Sequence, residues 1–294
     1  MKIVLFGHNG QVGSELKLAL EQTEHIIMTY ERSIVDFSQP SQVSNAIKGS
    51  NADLVINACA YTAVDKAESE HALADNVNHV SVAEIGKATA ELNIPAIHIS
   101  TDYVFDGTAN TPYREDHTTN PLGTYGSSKY LGEQALIAVN PKHIILRTSW
   151  VFGVHGNNFV KTMLRLSDSR DELNVVADQT GRPTFVGDIV QSILAFVSAL
   201  SKNSFESYGI YHCSSEGETT WCDFAKTIFT TALNTGLLSK SMTVNGITTD
   251  DYPTPAPRPA YSVLDTQKLE QFLGHPLPHW QEGLSTMLHH LKNG

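Results

Sequence analysis

The N-terminal stretch Lys2-Ile3-Val4-Leu5-Phe6-Gly7-His8-Asn9-Gly10-Gln11-Val12-Gly13 constrains this chain more than any other. A run of β-formers breaks on Gly7, Gly10 and Gly13, and a helical pattern follows with Val12, Leu16 and Leu20 on one face. Strand, glycine turn and helix in immediate succession build a phosphate cradle, because a helix N-terminus leaves backbone N–H groups free and partially positive. Gly7 permits the turn off the strand. Gly10 lets backbone approach a pyrophosphate, and Gly13 lets the helix sit close to the sheet. The spacing is Gly-x-x-Gly-x-x-Gly rather than the commoner Gly-x-Gly-x-x-Gly, so a plain glycine turn stays open as the alternative.

Beyond this stretch the chain alternates. Strands are predicted at His25–Thr29, Leu54–Asn57, Ala96–Ser100 and His143–Thr148. Helices are predicted from Pro40 to about Gly49, from about Ala63 to Leu92, and from Tyr125 to Val139. The βαβαβαβαβ rhythm implies an α/β fold: a Rossmann-type, doubly wound parallel sheet with helices on both faces. After Trp150 the pattern loosens. Asn158–Leu166, Gly187–Leu200, Trp221–Leu233 and Gln281–Leu291 read as helices, and Leu173–Ala177 and Gly209–Cys213 as strands. Pro253, Pro255, Pro257 and Pro259 exclude a helix there. The expected organisation is a dinucleotide-binding domain over 1–150 and a smaller α/β substrate lobe over 151–294, partly interleaved with it and covering the C-terminal ends of the strands, where open α/β sheets bind ligands.

The 294 residues are 41% hydrophobic, enough for one large domain or two lobes. A net charge of −11 argues against nucleic acid or an anionic membrane as partner. An anionic small molecule remains compatible, since local N–H groups and arginines outweigh a global field. Three cysteines, Cys59, Cys213 and Cys222, without a Cys-x-x-Cys pair suggest reduced thiols. With neither a signal peptide nor a membrane-spanning run apparent, the expected location is the cytoplasm.

Tyr125 and Lys129 form the only Tyr-x-x-x-Lys pair in the chain and share a helix face. A tyrosine can give a proton to a carbonyl being reduced, and a nearby ammonium stabilises the phenolate left behind. The Lys129 ammonium can also hold a cofactor ribose. Thr101, in Ser100-Thr101-Asp102 at the end of a strand, can donate to the same carbonyl oxygen; an ordinary strand-end turn is the alternative.

Gly7, Gly10 and Gly13 together with Thr101, Tyr125 and Lys129 resemble the extended short-chain dehydrogenase/reductase superfamily. More specifically, Ser100-Thr101-Asp102-Tyr103-Val104-Phe105-Asp106-Gly107, Tyr125-Gly126-Ser127-Ser128-Lys129, Arg147-Thr148-Ser149-Trp150-Val151-Phe152, Asn157-Asn158-Phe159, Asp178-Gln179-Thr180-Gly181-Arg182-Pro183-Thr184 and the Tyr252–Arg258 proline run resemble the dTDP-4-dehydrorhamnose reductase family over nearly the whole chain.

The resemblance implies reduction of the C4 ketone of dTDP-4-dehydro-L-rhamnose to dTDP-L-rhamnose by NADPH or NADH, a step of dTDP-rhamnose and lipopolysaccharide (O-antigen) biosynthesis. It implies Tyr125 as proton donor, Lys129 as its electrostatic support and Thr101 as carbonyl anchor. Asp102 and Trp150 match positions touching the sugar; a core aromatic is the other reading of Trp150. Gly10, Gln11 and Val12 match the pyrophosphate loop, Asp36 and Phe37 the adenine site, and Ala60, Tyr61 and Thr62 the loop after the third strand. Arg258 is added from its chemistry, as a bidentate partner for a diphosphate or else a solvated charge.

Glu31 favours the free ribose of NADH and Arg32 the phosphate of NADPH, so dual use leaning to NADPH is expected. Some relatives are dimers bridged by a divalent ion. Here Glu15 is the one candidate ligand for Mg2+, while Met287-Leu288-His289-His290-Leu291 offers no glutamate, and either a monomer or a homodimer is compatible. The alternative functions are a non-catalytic regulatory subunit of the methionine adenosyltransferase type and a nucleotide-sugar epimerase.

Overall fold

A computed structural model of the chain describes residues 1–202 and 205–293; Asn203, Ser204 and Gly294, all within the 151–294 half, lie outside the described residues. Lys2–Phe6 forms β1, and Ile3 to Phe6 are buried without alternation because helices cover both sheet faces. It is followed by α1 (Gln11–Glu21), β2 (Ile26–Thr29), α2 (Pro40–Ser50) and β3 (Leu54–Asn57). Next come α3 (Val64–Ala67), α4 (His71–Asp75), α5 (Ser81–Glu91), β4 (Ala96–Thr101), α6 (Thr124–Val139) and β5 (His143–Thr148). Among the described residues the central sheet has six parallel strands in the order Gly209–His212, β5, β4, β3, β1, β2. The chain leaves β1 for β2 on one side and returns to β3 on the other. The crevice at the C-terminal ends of β1 and β3 is therefore the topological switch point, where such sheets hold ligands.

Later helices are α7 (Phe159–Ser167), α8 (Val186–Ser201), α9 (Trp221–Asn234), α10 (Gln267–Leu273) and α11 (Trp280–Asn293). On one sheet face Leu16 and Leu20 of α1 join Ile189, Ile193 and Phe196 of α8; on the other Val43, Ile47, Val82, Ile85 and Leu136 form a second core. A third core, with Phe152, Phe224, Ile228, Trp280 and Leu284, is built from residues after Trp150. In space, α8 and the Gly209–His212 strand return to the first domain, with Ile210 beside Ile145 of β5. None of the described helices is long and apolar enough to cross a membrane.

One sequence expectation is corrected. The helix expected over about 63–92 is broken after Ala67, and from His71 to Glu91 it is interrupted by a single π turn, Asn76–Val80, between α4 and α5. Both interruptions serve α6. Glu68, just past α3, accepts the Thr124 N–H (2.7 Å) and the Thr124 hydroxyl (3.1 Å), capping the helix that carries Tyr125. The π turn turns Asn78 inward, where it accepts the Tyr61 N–H and donates to the Tyr61 carbonyl and the Ser128 hydroxyl.

Beneath the ligand-facing edge, Glu133 of α6 and Arg147 of β5 form an ion pair at 2.7 Å, with side chains 0% and 2% exposed. Arg147 also lies over the Phe105 ring at 5.1 Å. Removing one partner of such a pair strands a buried charge, whereas replacing both with apolar groups of similar volume does not. Glu133→Ala is expected to cost about 3–5 kcal/mol by urea denaturation, and Glu133→Leu combined with Arg147→Met much less.

Candidate active site and cofactor cleft

The turn after β1 is built for close approach. Gly7 adopts φ +79°, and a Cβ there would lie 2.5 Å from the Ala58 carbonyl; a Cβ on Gly13 would collide with the Gly7 carbonyl. Gly10 precedes α1 with no side-chain cap, so the first N–H groups of the helix face outward without protein partners. Beside them lies a cleft of about 260 Å³ at the β1/β3 switch point. Its walls bring together Gly7, Gly10, Arg32, Asp36, Phe37, Ala60 and Tyr61 of the expected residues. They also include His8, Asn9, Tyr30, Val35, Cys59, Leu73 and Val77, which sequence reasoning missed.

Other expected residues fall elsewhere. Val12 and Gly13 are buried in the first turn of α1, and Thr62 is exposed and off the cleft wall. The Gln11 side chain accepts from Asn158 Nδ2 at 3.0 Å, tying the glycine turn to the second lobe. Glu31 is off the wall too, held by His8 and Asn9, each at 3.2 Å, while Arg32 is 79% exposed with Asp36 at 3.6 Å. The glycine cradle, the uncapped helix and the mixed apolar and polar walls fit a dinucleotide. Glu15 has His155 at 3.5 Å, and no group of three or more His, Cys, Asp or Glu that could hold a metal ion occurs among the described residues.

The residues expected to react stand around the end of β4. Thr101 is buried; its hydroxyl donates to Asp102 Oδ1 (3.0 Å) and accepts the Tyr103 N–H (3.2 Å). The first turn of α6 presses on the Tyr103 carbonyl so closely that a Cβ on Gly126 would collide with it. That seating brings the Tyr125 ring edge-on to Tyr103 at 5.5 Å. Burial pushes the Tyr125 phenol up to about 12; hydrogen bonding to Thr101 opposes the rise and the Asp102 charge adds to it. One turn on, Lys129 is 1% exposed, its Nζ donating to the Ile99 carbonyl at 2.6 Å with His98 Nε2 at 3.3 Å. Burial lowers it to about 8, against the raising pull of Glu133 and Cys59.

A second cleft, of about 790 Å³, is lined by residues from both halves of the chain. Tyr103, Trp221 and Arg258 line it. Arg258 is held by Asp65 (2.9 Å) and the Ala256 carbonyl (2.8 Å), with one face towards the cleft, and is not a freely solvated charge. Trp150, at φ +46°, stacks flat on Trp221 at 3.5 Å, so Trp221 is the indole on the cleft wall and Trp150 supports it. Asp102 is buried beneath Thr101 rather than open to this cleft.

A dinucleotide cleft at the switch point with tyrosine, threonine and lysine gathered at the end of β4 defines a Rossmann-fold oxidoreductase of the short-chain dehydrogenase/reductase type. The model of the RmlD substrate binding domain family matches residues 1–293. The chain belongs to the dTDP-4-dehydrorhamnose reductase family. It is 44% identical to the dTDP-4-dehydrorhamnose reductase of Sinorhizobium fredii, over 96% of this chain and 95% of that protein. The crystal structure of the Clostridium acetobutylicum reductase matches with TM-score 0.91 at 37% identity, covering 99% of this chain and all (100%) of that one. That of Bacillus anthracis, in complex with NADP, matches with TM-score 0.89 at 36% identity, covering 98% of this chain and 99% of that one.

Burial raises the Asp102 carboxyl to about 6, partly offset by hydrogen bonds from Ser262 and Thr101. An acid with a raised folded value favours folding while protonated, and that contribution disappears as pH rises from the unfolded value near 4 through about 6. Asp102→Asn, which cannot ionise, is therefore expected to gain on the order of 2 kcal/mol on the wild type between pH 4 and pH 8, read from denaturation midpoints at the two pH values.

Proposed function

We infer that this protein catalyses the NAD(P)H-dependent reduction of the C4 ketone of dTDP-4-dehydro-L-rhamnose to dTDP-L-rhamnose, in the biosynthesis of rhamnose-containing surface polysaccharide. The observation that carries the reading is the gathering of three groups around the end of β4: Thr101 closes the strand, the Tyr125 ring packs edge-on against Tyr103 two residues beyond it, and Lys129, one helical turn on, donates to the Ile99 carbonyl of the same strand.

The N–H groups opening α1 hold the pyrophosphate, Asp36, Phe37 and Tyr61 border the adenosine end, and Arg32 reaches a ribose phosphate, which favours NADPH over NADH. When bound there, the reduced nicotinamide supplies a hydride. The rest of the chemistry is the protein's. Tyr125, pushed up to about 12, keeps its proton at neutral pH and is set to give it to the oxygen of the ketone as that oxygen gains electrons. Thr101 swings its hydroxyl from Asp102 to the same oxygen, stabilising the growing charge. In its ammonium form Lys129 stabilises the phenolate left behind and holds the cofactor ribose. Arg258, held by Asp65, meets the diphosphate of the sugar nucleotide, and the Trp221–Trp150 stack walls the cleft.

The direct test follows NADPH or NADH absorbance with a panel of dTDP-4-keto sugars. Oxidation of the cofactor in step with sugar reduction is expected, and no absorbance loss with fresh substrate would overturn the assignment. Tyr125→Phe is expected to lower kcat by about 100-fold or more while cofactor affinity stays near wild type, since only the proton donor is lost. Lys129→Ala is expected to weaken both turnover and cofactor binding, the latter measured by NADPH fluorescence.

A further inference from the structure

Behind Lys129 runs a chain of buried polar groups that the reaction as described does not use. Asn57 at the end of β3 and His98 in the middle of β4 are each 1% exposed. The Asn57 side chain meets His98 Nδ1 at 3.0 Å, and His98 Nε2 meets Lys129 Nζ at 3.3 Å. The direction of the first link is fixed from outside, because Asn57 Oδ1 accepts the Cys59 backbone N–H at 3.0 Å. A backbone N–H can only donate, so the amide must turn its oxygen to Cys59 and its NH2 group to His98. His98 Nδ1 then accepts. Complete burial keeps the imidazole neutral, so its single proton resides on Nε2. That N–H points at Lys129.

We propose that His98 is a positioning residue for Lys129: the one-way chain from Cys59 N–H through Asn57 and His98 ends in a donor aimed at Nζ and selects the neutral amine in the cofactor-free protein. An ammonium carries three donors and no acceptor, so it cannot satisfy His98 Nε2–H. The amine can, accepting that hydrogen bond while donating to the Ile99 carbonyl. Moving the imidazole proton to Nδ1 relieves Lys129 but sets that N–H against the Asn57 amide. Charging Lys129 therefore always leaves one donor without an acceptor, a cost that is high in a dry interior.

The other titratable groups facing Lys129 are Glu133 on α6 and Cys59 on the loop after β3. Glu133 is committed to Arg147, and burial raises the Cys59 thiol to about 11, leaving it neutral at physiological pH. The His98 chain thus brings the gain and loss of the Lys129 charge close to neutral pH. Its catalytic consequence rests on the reductase reading: turnover falls on the alkaline side as Lys129 loses the proton that supports the Tyr125 phenolate, and His98 decides where that fall begins.

The tautomer is read directly from the nitrogen NMR spectrum of the cofactor-free, 15N-histidine-labelled full chain, with the His98 signals identified by their absence in His98→Gln. The expected result is a protonated Nε2 and a bare Nδ1. In Asn57→Asp the carboxylate accepts from both Cys59 and His98, and the proton is expected to move to Nδ1. A wild-type His98 protonated on Nδ1, or no change of tautomer in folded Asn57→Asp, would overturn the proposal. If neither variant folds, the wild-type spectrum, assigned through a ring-contact experiment to Lys129, still decides it. In both variants the alkaline limb of the kcat/KM profile is expected to move up by about one pH unit or more, an effect that a packing role would not produce; an unmoved limb would break the link to turnover. Failure to oxidise NADPH with any keto sugar would sink the reductase reading instead, and would leave the nitrogen spectra to judge the chain of hydrogen bonds.

Discussion

Three charged side chains, Lys129, Glu133 and Arg147, are buried between β4, β5 and α6, and the ligand-facing edge of the molecule is organised by how their charges are met. Glu133 is spent on Arg147, with three hydrogen bonds between 2.7 and 3.3 Å. Lys129 is left without a carboxylate in contact and rests on a carbonyl and an imidazole. An ion so placed holds its proton weakly, because burial penalises the charged form and only neutral groups touch it. A parallel sheet buried on both faces tolerates such groups only where each has a partner. That requirement fixes the pitch of α6 on the sheet, and with it the place of Tyr125.

The second constraint is steric. α1 and α6 both meet neighbouring backbone through glycines, α1 at Gly13 against Gly7 and α6 at Gly126 against Tyr103. These approaches bring the N-terminus of α1 to the cleft at the β1/β3 switch point and that of α6 to the end of β4. Glu68 caps α6 from a different part of the chain, which explains why the region before α5 is broken into short pieces rather than one helix. The second lobe closes the other side: Asn158 holds Gln11, Asp65 holds Arg258, and the Trp150–Trp221 stack forms part of the wall.

Much of this was legible in the residues. The β-formers, glycines and 3.6-residue periodicity placed β1, α1, β3 and β5 at their observed bounds, because local propensity and burial pattern agree there. Tyr125 and Lys129 share a face by helix geometry alone. What escaped was every partner brought from afar. His98 and Arg147 did leave a signal, each a buried ionisable residue beside apolar neighbours, Ile97 and Ile99 for His98 and Leu146 for Arg147. Nothing local identifies Asn57 or Glu133 as what meets them. Trp221 took the wall position expected for Trp150 because two indoles stack and only the outer one can face a ligand.

The sequence by itself determined the α/β rhythm, the glycine turn after β1 and the shared helix face of Tyr125 and Lys129, since these follow from neighbours within a few residues. Only the tertiary structure decided which groups touch. It joined the Gly209–His212 strand to the first domain and set a capping carboxylate on a helix far along the chain. It also gave a buried lysine a neutral imidazole for company. The physical reason is that charge and hydrogen bonding in a dry interior depend on distances of a few ångströms between segments whose separation along the chain carries no information about their separation in space.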